Sequence, residues 1–109
     1  MTYDRARVIE LNDQLRTKFR GGRVQMTRTF YDLDARLRGR ALYAMSRYNK
    51  FDAENEHDWG VFIFGGFAFE WQIEYRGRDG SGASPDPGDP DETLRVLTLH
   101  VASDLLGSK

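Results

Sequence analysis

The sequence predicts a two-layer α+β fold, αβαββα, in which a three-stranded antiparallel sheet carries helices packed mainly on one face. Three observations predict it. Apolar residues recur at helical spacing over residues 3–20 and 33–49. Two β-rich runs, Trp59 to Phe64 and Phe67 to Arg76, flank the pair Gly65-Gly66, as in a tight hairpin. A chain of 109 residues with 39% hydrophobic content suits one α+β domain over residues 1–109.

In the first helix, Val8, Leu11, Leu15 and Phe19 form the apolar stripe, with Arg5, Asn12, Arg16 and Arg20 on another face. Gly21-Gly22 stops it. From Arg23 to Phe30 the residues alternate, with Val24, Met26 and Phe30 inward, which predicts a half-buried strand. The helix over 33–49 takes Asp32 or Asp34 as its N-cap and buries Leu33, Leu37, Ala41, Ala44 and Tyr48. A two-residue turn then fixes the hairpin register. Phe62 faces Phe69, Gly60 faces Trp71, and His57 is expected to face Glu74.

One hairpin face carries Phe62, Phe64, Phe67, Phe69, Trp71 and Ile73, the expected core side. The other carries Trp59, Val61, Ile63, Ala68, Glu70, Gln72 and Glu74. Residues 77–89 read as a long loop. Asp89-Pro90-Asp91-Glu92 resembles a helix start. That signal favours a C-terminal helix with Leu94, Leu97, Val101 and Leu105 on one stripe, although Leu97, Leu99 and Val101 also alternate as a strand would.

Charge is divided along the chain. Residues 1–50 carry +7 and residues 51–109 carry −8, so the formal total is −1. Such a division fits a basic surface for nucleic acid, an acidic surface for a basic partner, or two halves that neutralise each other. The chain has no cysteine, which excludes disulfides and thiolate metal sites. The N-terminal residues lack the apolar core of a signal peptide, and Trp59–Phe69 is too short and glycine-rich to span a bilayer. A soluble cytoplasmic bacterial protein is the expectation, with no membrane partner.

Four clusters could carry function. Glu56, His57 and Asp58, with Glu74 brought in by the hairpin, offer a carboxylate–imidazole set for a metal or for acid–base chemistry. The stripe Arg36, Arg40, Tyr43, Arg47 and Lys50 could follow a phosphate backbone, with Arg5, Arg16 and Arg20 as extensions. Asp79, Asp86 and Asp89, with Asp91, Glu92, Glu70 and Glu74, could form an acidic docking surface. Trp59, Val61 and Ile63 could form an exposed apolar patch. Each has a plainer reading: a solvated loop, a charged helix face, turn caps, or a face covered by another element. No nucleophile elbow and no phosphate-binding glycine motif is present, so no catalytic residue and no cofactor is assigned.

The segments Glu56-His57-Asp58-Trp59-Gly60, Phe69-Glu70-Trp71-Gln72-Ile73-Glu74-Tyr75, Ser84-Pro85-Asp86-Pro87 and Arg95-Val96-Leu97-Thr98 carry a resemblance, as do Ile9–Asp13 and Gly21–Val24. The chain resembles a small domain-of-unknown-function family of alphaproteobacterial chromosomes, plasmids and phages. The resemblance implies no activity and no site residues. It implies a mobile-element setting, in which small accessory and anti-defence proteins are common.

The expected function is a non-enzymatic interaction module, in its concrete form an anti-CRISPR-like inhibitor. Its protein partner would meet Trp59, Val61, Ile63, Glu70, Glu74, Asp79, Asp86 and Asp89. A nucleic-acid-binding accessory protein and a metal-assisted hydrolase around His57 are the alternatives. The expected state is a monomer, or a homodimer through the open sheet face.

Overall fold

The computed structural model describes residues 4–104. Helix α1 (Arg5–Lys18) is followed by strand β1 (Arg23–Met26), the one-turn helix α2 (Arg28–Tyr31) and helix α3 (Ala35–Ser46). Strands β2 (Trp59–Phe64), β3 (Phe67–Gly77) and β4 (Thr93–Asp104) complete the chain. The four strands form one mixed sheet in the order β1-β4-β3-β2. β4 pairs antiparallel with β3 and parallel with β1. Among the described residues no helix is long and apolar enough to cross a membrane.

Local chemistry explains the helix ends. Asp4 caps α1 by accepting from the Arg7 N–H. Phe19, not a glycine, takes the left-handed C-cap position at φ 57° and sends its N–H to Gln14 and Leu15 carbonyls. That turn leaves Phe19 48% exposed rather than in the core. Of the two candidate caps for α3, Asp34 is used, accepting from Arg36 and Leu37 N–H groups.

The region expected to be one strand from 23 to 30 divides. Thr27 accepts from the Phe30 N–H and starts α2, which carries Phe30 into the core while Met26 stays partly exposed.

The largest correction lies at the C-terminus, where residues 93–104 form β4 rather than a helix, so the sheet has four strands instead of three and is mixed. Asp89-Pro90-Asp91-Glu92 closes a turn instead, through Glu92 N–H to the Asp89 carbonyl and Asp91 N–H to the Asp89 carboxylate. The expected Leu105 of the helical stripe lies outside the described residues. Tertiary pairing decides here: β4 is hydrogen-bonded on both edges, and Leu97 and Leu99 are fully buried.

The hairpin register is as expected, with Phe62 opposite Phe69 and Gly60 opposite Trp71. Gly65 and Gly66 both have positive φ, 61° and 86°, the conformation this two-residue turn requires. The core lies on one sheet face, where Phe69, Trp71, Ile73, Leu97 and Leu99 meet Leu15, Phe30, Ala41 and Met45 of the helices. Phe30 and Phe69 pack edge to face at 5.8 Å.

Candidate functional site

The two ends of the sheet differ, and the difference defines the site. β1 is a short edge of four residues with Arg23 and Gln25 exposed. β2 is the opposite edge and reads Trp-Gly-Val-Phe-Ile-Phe, without a charge or a proline. Trp59, Val61 and Ile63 project away from the helices and are 47%, 41% and 70% exposed. Among the described residues no other element covers them. The turn sets Phe64 and Phe67 as a hydrogen-bonded pair, and Ile73 N–H to Asp58 carbonyl at 2.8 Å continues the same alternation. The backbone groups of Val61 and Ile63 therefore point to the open edge.

Beside that edge runs α3. A groove between them has two adjoining hollows, ≈ 490 Å³ and ≈ 590 Å³, which share Ala44. Val61, Phe62, Ile63 and Phe64 form the strand side. Arg36, Arg40, Tyr43, Arg47 and Lys50 form the helix side. The basic stripe and two members of the apolar strip, Val61 and Ile63, expected separately from the sequence, thus border one groove, while Trp59 lies beside Asp52, Glu54 and Asp58 instead. Arg47 lies over the Tyr43 ring at 5.8 Å. Among the described residues none of Arg36, Arg40, Arg47 and Lys50 forms an ion pair.

The expected extensions of the stripe do not join it. Arg5 donates to the Ala53 and Asn55 carbonyls. Arg20 is exposed beyond α1. Arg16 is buried, with Asn12, although both lie on a face apart from the expected apolar stripe. Arg16 donates to the carbonyls of Met45, Ser46 and Tyr48 and so satisfies the C-terminal end of α3. It also pairs with Asp13 at 3.0 Å and lies over Phe51 and Trp71. Asn12 joins the Glu56 carbonyl, the Tyr75 hydroxyl and Arg95 Nε. Spacing on a helical wheel does not separate such buried polar residues from a solvated face.

The metal set does not assemble. His57 Nδ1 meets Asp13 at 2.9 Å and its ring stacks on Phe51 at 3.9 Å. Glu74 pairs with Arg76 at 3.1 Å. His57 adopts φ 61° ahead of β2, which breaks the register that would have placed it opposite Glu74. Among the described residues no group of three His, Asp or Glu could hold a metal. Asp58 is pushed above the ordinary aspartate range, first by burial, with Glu56 acting in the same direction. Burial likewise pushes the Tyr75 phenol up.

The acidic surface is also different from the expectation. Asp79, Asp86 and Asp89 each turn one carboxylate oxygen inward, to the N–H groups of Ser81, Gly88 and Asp91. Ser84 N–H to Tyr75 carbonyl and Gly77 N–H to Gly82 carbonyl tie the loop to β3. Glu70 meets His100 at 3.2 Å on the open face. The acids thus hold turns and local pairs, while among the described residues the side chains of the apolar strip have no such structural partner.

Residues 26–104 match a family described as protein of unknown function (DUF3768). No curated protein and no solved structure matches the chain. The family match spans well over half of the residues and takes in α2, α3 and the hairpin, and the chain belongs to the DUF3768 family.

Proposed function

We propose that the protein is a non-enzymatic interaction module that binds a protein partner along β2. The observation that carries this reading is an uncharged edge strand with Trp59, Val61 and Ile63 in water. Folded proteins blunt such edges with charges, prolines or covering elements, as Arg23 and the shortness of β1 do at the other end. An apolar edge left open is a surface for association. In the mobile-element setting its resemblance implies, the module would serve as an accessory or anti-defence inhibitor.

The test is affinity capture from a bacterial lysate, with and without nuclease, using the native chain and Trp59→Ala/Ile63→Lys. A stoichiometric protein that survives nuclease and is lost with the double variant supports the reading. Capture unchanged by the variant refutes it. A nucleic-acid accessory role is the second reading, favoured by the cations along α3, which form no ion pair among the described residues. It requires capture that vanishes with nuclease and binding that weakens steeply with salt.

A further inference from the structure

We infer that the groove between α3 and the free edge of β2 receives an extended acidic segment of a partner protein, which adds to the sheet as a fifth strand. The inference rests on the protein-binding reading and specifies the partner's chemistry. Strand addition needs unpaired main-chain groups, and Val61 and Ile63 present theirs at the edge. It also needs room alongside, which the hollows between α3 and β2 provide.

Charge then selects the occupant. Side chains of an added strand alternate between the two sheet faces. Those toward α3 would lie over Ala44 and Phe64 and reach Arg36, Arg40, Arg47 and Lys50, which have no carboxylate of their own among the described residues. Glutamates fit there, with their methylene stems on the apolar floor and their carboxylates at the cations. Those on the other face would lie beside Val61 and Ile63, where β-branched residues fit. The occupant is therefore an extended run that alternates acidic and β-branched residues. The same cations argue against a second copy of this chain, since β2-to-β2 pairing would bring two basic helices together. The apolar floor and the outward main-chain groups favour a peptide over nucleic acid, which would leave both unused.

The probe is a short fluorescent peptide of alternating Glu and Val, followed by anisotropy. It should bind more tightly at low salt, while the Lys/Val counterpart should not bind. Arg40→Glu/Arg47→Glu should weaken it by about tenfold or more. N-methylation of alternate peptide amides, which leaves the protein untouched, should abolish binding in the register that faces β2. Val61→Pro should do the same while thermal unfolding stays close to native, because proline is tolerated where the N–H faces away from the sheet.

Equal binding of the Lys/Val peptide, or insensitivity to both N-methylation registers, overturns the inference. Tighter binding of oligothymidylate, competitive with the peptide, assigns the groove to nucleic acid and also overturns it. So does a dimer of the native chain that Val61→Pro dissociates. If the peptide fails while lysate capture still depends on Trp59 and Ile63, only strand addition falls. If capture is also unaffected, the interaction reading falls with it.

Discussion

Arg16 ties α1 to the end of α3 from inside the protein. Its guanidinium holds three carbonyls at the end of α3, pairs with Asp13, and lies over two aromatic rings. Arg16→Met keeps the stem and removes those donors, leaving buried carbonyls unpaired. A loss of about 2–4 kcal/mol is expected by chemical denaturation. Gly60 is constrained differently: a Cβ there would sit 2.6 Å from Trp71 Nε1, in a fully buried ring. Gly60→Ala should therefore cost about 1–3 kcal/mol. Asp58 sets a pH dependence. Its folded proton affinity is raised by burial, so the folded chain holds the proton more tightly than the unfolded chain. Its contribution is greatest below the unfolded value and is lost as pH rises through the folded one. Asp58→Asn should raise the unfolding midpoint at neutral pH and flatten the acidic limb of the stability profile.

At the level of elements, the β2–β3 hairpin was legible from Trp59 to Gln72, because Gly65-Gly66 specifies the turn and the turn specifies the register, which fails only at His57. Leu37 packs behind that turn, and a Cβ on Gly65 would lie 2.7 Å from its Cδ1. With φ 61° added, Gly65→Ala should cost about 1–2 kcal/mol or more, and its thermal midpoint should fall. The two helices were legible in place but less so in face. Asn12 and Arg16 look solvated on a helical wheel and are buried because carbonyls from distant segments meet them. β4 was misread because Asp89-Pro90-Asp91-Glu92 carries the local marks of a helix start, whereas its strand state depends on β1 and β3, remote in sequence. Local signals cannot report such pairing. The same holds for the site: the basic stripe and the apolar strip were each visible in the sequence, but their common groove exists only once α3 lies against β2.

For the molecule as a whole, the charge division is not cancelled by pairing. Among the described residues, the charge pairs that join the basic and acidic halves run through Glu56 and His57, while Arg7–Glu10, Arg28–Asp32 and Arg76–Glu74 stay within a half. The family match begins at residue 26, after α1, yet Val8 and Leu15 of that helix are fully buried. A fragment of residues 26–104 should therefore lose fixed aromatic packing, with collapsed near-ultraviolet circular dichroism and strong binding of a hydrophobic dye. A native-like spectrum would show that α1 and most of β1 are dispensable. The parallel pairing of β1 with β4 has a consequence for biosynthesis. Arg23 through Met26 hydrogen-bond with Val96 through Leu99, so the sheet's second strand in space is its last in translation. A ribosome must deliver some seventy further residues before β1 finds its neighbour, and once the β2–β3 hairpin has emerged its β3 flank stands open until β4 follows. The nascent chain is then most in need of a holdase, and a stall in the codons ahead of β4 would release a sticky two-stranded ribbon instead of a domain.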